Sequence, residues 1–367
     1  MKFDFDKVVD RHGTKCLKYD FAKERGRSDD MLPLWVADMD FQTAPGIQKS
    51  LSDAVAHGIY GYSEGKDDYF QAAAGWYEKH FGWKVEKEWL IKTPGVVFAL
   101  AMAVKAYTKE GDAVLLQQPV YYPFSEVITD NHRRLINSPL QQIDGHYEIN
   151  FEEFEQKIVE ENVKLFLMCS PHNPVGRVWK EWELRKIGDI CLKHNVLVVS
   201  DEIHSDFTYG ENIHHVFASL DEKYAAITTT CTAPSKTFNI AGLQISNIWI
   251  SNPELRSRFR AEVTAAGYSQ VNLMGLVACQ AAYETGEEWL KELKIYLEGN
   301  LDYVRTFLKE NLPEIKLTEP EGTYLLWLDF KSLGMKEEQL KDLVENKANS
   351  GLTAEQCLDR TERDLSV

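Results

Sequence analysis

Short apolar runs alternate with amphipathic stretches through most of the chain. Ala113–Gln117, Leu165–Cys169, Val196–Ser200, Ala226–Thr230 and Ile245–Ile250 are runs of aliphatic and β-branched residues. Between them lie segments with helical spacing, such as Val97–Tyr107 and Trp182–His194. Runs that are apolar on both faces and separated by helices predict a mostly parallel sheet covered on both sides. Upstream, residues 1–30 are polar and irregular, as in an arm, and Leu32–Phe41 is an apolar run closed by Asp38 and Asp40. Helices are expected at Pro45–His57, with proline in its first turn, and through Trp76 and Tyr77 after the tyrosine-rich loop Ile59–Gly65. Downstream, Trp289, Leu290, Leu293, Tyr296, Leu297, Leu301, Val304 and Leu308 mark one long amphipathic helix, Glu287–Asn311, stopped by Pro313. A strand at Gly322–Phe330 and a helix around Lys336–Glu345 complete the pattern. The expected fold is α/β: a large domain over 46–285, preceded by an arm and the start of a small domain in 1–45, and followed by a smaller α+β domain in 286–367.

Composition narrows the class. The chain has 367 residues, long enough for two domains with a sizeable core, and 44% hydrophobic with 11% aromatic residues marks a globular protein. A formal charge of -16 leaves no basic footprint for nucleic acid. No apolar run reaches bilayer length, and the acidic start MKFDFDKVVD lacks the apolar centre of an export signal. The six cysteines show no CxxC spacing, which predicts free thiols and a reducing cytoplasm, and no metal site.

Open parallel sheets bind ligands at the carboxyl ends of their strands. Four groups of reactive or ligand-binding type fall at such ends. Ser200-Asp201-Glu202-Ile203-His204 closes one strand, Ser170-Pro171-His172-Asn173-Pro174-Val175-Gly176 closes another, Lys236 follows a third, and Thr93-Pro94-Gly95 opens a helix. Each has a plainer account alone: a surface lysine, an acid capping the next helix, an Asn-Pro turn. Their joint occurrence at strand ends and a helix start is what points to a site.

With those residues in hand, the chain resembles the fold-type I enzymes that use pyridoxal 5′-phosphate (PLP), within the class I/II aminotransferase superfamily. It is most similar to their cystathionine β-lyase, or cysteine-sulfur lyase, branch. The resemblance runs from about Phe3 to about Lys347 and rests on WVADMDF, TPGVVFAL, PVYYPF, CSPHNPVGRVW, SDEIHSDF, APSKTFNIAGLQ and EGTYLLWLDF. It implies a PLP-dependent large domain and a homodimer that acts on a small amino-acid substrate, with no membrane or nucleic-acid partner.

The resemblance also implies roles. Lys236 matches the Schiff-base lysine, and Asp201 the carboxylate that keeps the pyridine nitrogen protonated. Asn173 matches the donor to the ring's 3′-oxygen, and Tyr121 the aromatic stacked on the ring. Backbone N–H groups at Gly95, Val96 and Val97, at a helix N-terminus, match the phosphate cradle, with Ser235 as a further hydroxyl. Tyr60, with Tyr62 as a competitor, matches the tyrosine that reaches the partner subunit's phosphate.

Three departures shift the expected reaction from transamination to elimination. His204 stands where aminotransferases carry a tyrosine, Gln244 where they carry a phosphate-binding arginine, and Ala233 where they carry a serine. The expected activity is α,β-elimination from cystathionine or a cysteine-like substrate, giving pyruvate, ammonia and a thiol. Two alternatives stay open: a PLP-dependent aminotransferase, and a PLP-binding regulatory protein with little turnover.

The tail departs further. Gly351–Val367, GLTAEQCLDRTERDLSV, lacks the family's tryptophan, its SGxxFG loop and the arginine that grips the substrate carboxylate. Degenerate codons for Ser350–Val367 exist whose neighbouring reading frame spells WADSGAMFGPDGEGFER, which has all three. We therefore expect a shifted reading frame starting near Ser350 and an impaired substrate site. The gene sequence checks this, and codons that cannot yield the shifted reading end the idea.

Overall fold

The computed structural model describes residues 2–352. Seven strands form one sheet: Leu90–Thr93 (β1), Ala113–Leu116 (β2), Arg134–Asn137 (β3), Leu165–Cys169 (β4), Leu197–Asp201 (β5), Thr228–Thr232 (β6) and Ser246–Trp249 (β7). Their order is β1-β7-β6-β5-β4-β2-β3. β6, β5, β4, β2 and β3 pair in parallel, whereas β7 runs antiparallel to both β6 and β1. Since β7 is reversed between them, β1 and β6 point the same way, and the chain leaves β1, β4, β5 and β6 at one common edge.

Among the described residues of the first 333, ten α-helices accompany the sheet: Pro45–His57 (α1), Asp67–Phe81 (α2), Val96–Tyr107 (α3), Pro123–Thr129 (α4), Phe151–Glu160 (α5), Glu181–Lys193 (α6), Glu222–Ala225 (α7), Pro253–Ala265 (α8), Leu273–Thr285 (α9) and Glu287–Asn311 (α10). Alternation along the strands assigns the faces. Val114, Leu116, Leu165, Leu167, Cys169, Val199, Cys231 and Ile248 pack with Leu100, Val104 and Phe259 of α3 and α8. Ala113, Leu115, Phe166, Met168 and Val198 pack with Phe154, Leu184 and Ile187 of α5 and α6. A third cluster joins Ile47, Tyr69, Trp76, Leu276, Trp289 and Leu293 from α1, α2, α9 and α10. The expected α/β architecture with a mostly parallel sheet is present.

Contacts divide the described residues into two compact units, one of residues 2–9 with 37–333, the other of 10–36 with those from 334 onward. Residues 286–333 fall in the first unit because α10 shares the Trp76–Trp289 cluster. In the second unit, Leu32–Pro33 pairs in parallel with Ser350–Gly351, and Trp35 lies under the guanidinium groups of Arg25 and Arg27.

Some elements depart from expectation. The run expected at Ala226–Thr230 pairs two residues later because Asp221 caps the short helix α7, whose end absorbs Ala225. The run Gly322–Phe330 is a strand only at Trp327–Asp329, paired with Lys316–Thr318. Its first residues bond elsewhere: Thr323 N donates to Phe207 O at 3.0 Å. Residues 353–367, and with them most of the atypical tail and its expected shifted frame, lie outside the described residues.

Candidate functional site

Asp201 is the last residue of β5, in register with Cys169 of β4 and Cys231 of β6. Period-two alternation places it with Val199 on the α3 face of the sheet. Burial pushes its carboxyl up to about 7, against the Ile203 N–H bond and Lys236, and with help from Glu202. Glu202 takes other partners: it accepts from Ser200 Oγ at 2.8 Å and Phe217 N at 3.1 Å, and pairs with His214 Nε2 at 2.8 Å. Asp201 is thus the carboxyl left to face a ligand.

Lys236 follows β6 through Ala233-Pro234-Ser235 and is partly buried. Burial lowers its amine below the ordinary lysine range, and the carboxylates of Asp38 and Asp201 pull it back up. Its Nζ donates to Ala37 O at 2.7 Å. The three residues after it are each held from outside. Thr237 Oγ1 donates to Asp206 Oδ2 at 2.6 Å, and Trp76 Nε1 donates to the other oxygen of the same carboxylate at 3.0 Å. Thr43 Oγ1 donates to Phe238 O at 2.6 Å. Asn239, at φ +55, accepts from Met39 N at 3.0 Å and donates to Met39 O at 2.8 Å and Phe41 O at 2.7 Å. The WVADMDF segment from Ala37 on is therefore fastened to the lysine loop.

The loop after β4 carries Asn173, buried, whose carbonyl accepts from Tyr121 N at 3.1 Å and whose N–H donates to Cys169 Sγ at 3.4 Å. Beside it His172 Nε2 donates to Pro119 O at 2.9 Å, and burial pushes this imidazole down to about 4. These bonds join the 118–121 and 170–176 loops at the carboxyl edge. His204 is buried; burial, then the charge of Lys236, pushes its imidazole down to about 3. Its Nδ1 has no hydrogen-bond partner among the described residues.

Gly95 begins α3 at φ +143, where a Cβ would meet nothing within 4 Å. A side chain there would be strained, and it would fill open space over the first-turn N–H groups, which have no acceptor within a helix. Val96 is buried and Val97 half exposed. Ser235 is buried with its hydroxyl 3.5 Å from Ile245 O, and Thr93 Oγ1 lies 2.7 Å from Ser246 Oγ across β1 and β7.

Lys236, Asp201, Asn173, Tyr121, His204, Ser235 and the Gly95 helix start thus belong to one edge of one sheet. Tyr60 makes none of these contacts; it is 60% exposed, with its hydroxyl on Val55 O at 3.3 Å. Four residues given no role from sequence also belong to the site: Asp38, Asp206, Asn239 and Tyr324. Tyr324 lies two residues after Gly322 and donates from its hydroxyl to Ala37 O at 2.9 Å. Its ring packs edge-on to Phe207 at 4.9 Å and stands 5.7 Å from that of His204. Its signal was a tyrosine inside the EGTYLLWLDF motif, but nothing local said which loop it would face.

The edge offers a partly buried amine, a carboxyl that burial holds near neutrality, a partnerless buried imidazole nitrogen and an open helix start. A phosphorylated, cationic heteroaromatic aldehyde such as PLP answers three of these: aldehyde to amine, ring cation to carboxyl, phosphate to helix start. The residues present fit that group.

Comparison with known proteins agrees. Residues 30–355 match the family model of aminotransferase class I and II. Cystathionine beta-lyase PatB of Bacillus subtilis (strain 168) is 43% identical over 344 residues, covering 94% of this chain and 89% of PatB. The crystal structure of cystalysin from Treponema denticola, which contains a pyridoxal 5′-phosphate cofactor, superposes with a TM-score of 0.92 at 39% identity, covering 95% of this chain and 89% of that one. The PLP-bound C-S lyase from Staphylococcus hominis gives 0.88 at 34% identity, covering 95% and 88%. With its carboxyl-edge site and a family match spanning most of its length, this chain belongs to the aminotransferase class I and II family.

Proposed function

We propose that the protein is a PLP-dependent carbon-sulfur lyase that eliminates a thiol from cystathionine or a cysteine-like amino acid, leaving pyruvate and ammonia. One observation carries the reading: the partly buried Lys236 amine shares the sheet edge with Asp201, whose carboxyl takes no side-chain hydrogen bond among the described residues. The cystathionine beta-lyase name of the 43% identical relative and the cofactor named for cystalysin support it.

Lys236 would hold the cofactor, and Asp201 would pair with its ring nitrogen. Asn173 would serve the ring's 3′-oxygen, Tyr121 its face, and the N–H groups at Gly95, Val96 and Val97, with Ser235, its phosphate. When bound, PLP supplies a sink for the electron pair left at the substrate α-carbon. Lys236 Nζ, which burial lowers below the ordinary lysine range, would take the α-proton, since burial favours the free amine that can accept one. Neutral His204 adds no second charge beside that amine.

We further propose a cytoplasmic homodimer to which the Tyr60 loop contributes. Its support is the set of exposed apolar side chains Val55, Ile59, Tyr60, Tyr62, Val97 and Tyr122, together with five buried cysteines that form no disulfide among the described residues. No described helix is long and apolar enough to cross a membrane.

Incubation of the PLP-loaded protein with cystathionine is expected to release pyruvate and free thiol together. Amino transfer that depends on an added keto acid, without thiol, is the outcome that sinks the lyase reading. That outcome would favour the second reading, an aminotransferase, which the family match itself supports. Cofactor uptake with neither product would favour the regulatory protein.

A further inference from the structure

Lys236 Nζ and the Tyr324 hydroxyl donate to one and the same acceptor, Ala37 O, at 2.7 and 2.9 Å. A carbonyl oxygen has two lone pairs, so it holds both donors at once. Tyr324 is fixed in place by Phe207 and His204, and burial, together with the negative charge of Asp38 and the nearby Tyr209 and Tyr121, keeps its hydroxyl protonated. We propose that Tyr324 is a positioning residue for Lys236: it keeps the Ala37 carbonyl satisfied when the lysine amine leaves it.

This rests on the reading of Lys236 as the cofactor's lysine. In that reading the amine has two stations, one on Ala37 O when free and one on the cofactor. Moving between them swaps the lysine amine for a substrate amine: one C–N bond forms as another breaks, and no water enters or leaves. Without Tyr324, the second station would leave a partly buried carbonyl with no donor, and an orphaned acceptor of that kind is costly. With Tyr324 the carbonyl has a donor at both stations, so the lysine moves without that penalty. The charged groups that bear on the free amine are Asp38 and Asp201.

Tyr324→Phe keeps the ring packing and removes only the hydroxyl. The expected result is that the PLP-loaded variant passes more readily to the free-lysine state. L-alanine, which has no thiol to lose, then displaces Lys236 with an apparent Kd about tenfold lower than in the wild type, read from the visible absorbance of the bound cofactor. Site-specific 3-fluorotyrosine at position 324, a stronger donor of nearly the same shape, shifts the Kd the opposite way. Opposed shifts are not produced by a merely structural role, and the fluorinated protein keeps the test available if Tyr324→Phe fails to fold. Unchanged Kd values in the variants, beside a wild type that takes up PLP and responds to alanine, overturn this inference alone. A wild type that takes up no PLP overturns the proposed function, and this inference with it.

Discussion

The sharpest consequences at the scale of single residues come from Asp201 and Lys236. A carboxyl whose folded value is about 7 binds a proton that the unfolded chain, near 3.8, has released. Its stabilising contribution is therefore full below about 4 and is lost as the pH rises through 7. The cofactor-free protein is expected to lose on the order of a few kcal/mol over that window through this group, and Asp201→Asn to flatten the decline. Thermal melts of both proteins from pH 4 to 8 check this; parallel curves contradict it. A pyridinium placed against the carboxylate removes the penalty, so added PLP should stabilise the wild type most above pH 7 and Asp201→Asn far less. For Lys236, replacement by alanine should abolish the visible absorbance of the loaded protein. It should also lower the elimination rate by roughly 10²–10⁴-fold, the usual weight of a general base. Pyruvate release from cystathionine is the measurement, and a variant with near wild-type turnover would remove Lys236 from its role.

Among the elements, α3 and the lysine loop carry the site, and each was legible to a different depth. The start of α3 could be read from Thr93-Pro94-Gly95 ahead of an apolar helix, and its observed start, Val96, is one residue from the expected Val97. Gly95→Ala should fold, since a Cβ meets nothing there, but at φ +143 it strains the turn and fills the cradle. We expect at least about tenfold weaker PLP binding in an equilibrium titration. An alanine variant that binds as well as the wild type would place the phosphate elsewhere. Strands β4 and β5 were legible because Leu165–Cys169 and Val196–Ser200 are apolar on both faces. By contrast, the clamps on the lysine loop were hidden: Asn239 finds Met39 and Phe41, 200 and 198 residues away, and no local pattern encodes a partner at that distance. Tyr324 escaped for the same reason, because the run around it looked like one long strand while its first residues serve the Phe207 loop. Helices α8 and α9 escaped too. The hydrophobic residues of α9 surround it, so it lacks the striped face that marked α10.

For the whole molecule, the exposed side chains of Val55, Ile59, Tyr60 and Tyr62 are the testable surface. A homodimer burying them should appear at twice the chain mass in sedimentation, and Ile59→Asp should shift it toward monomer and weaken cofactor retention. A wild-type monomer that retains PLP would contradict this. The order of the sheet has a further meaning, for the birth of the protein rather than its chemistry. β7, residues 246–249, is the last strand of the sheet to be synthesised, yet it lies between β1 and β6. Until it inserts, Thr93 at the end of β1 has no Ser246 beside it, and the helix start at Gly95 has no strand joining it to the β6 edge from which Lys236 springs. A nascent chain can thus make both halves of the cradle and still be unable to close it. Because the closing pairs are so distant in sequence, they should form late and slowly. Cofactor capture then becomes a report that the sheet is complete, and chains stopped before residue 246 should emerge colourless however well their helices form.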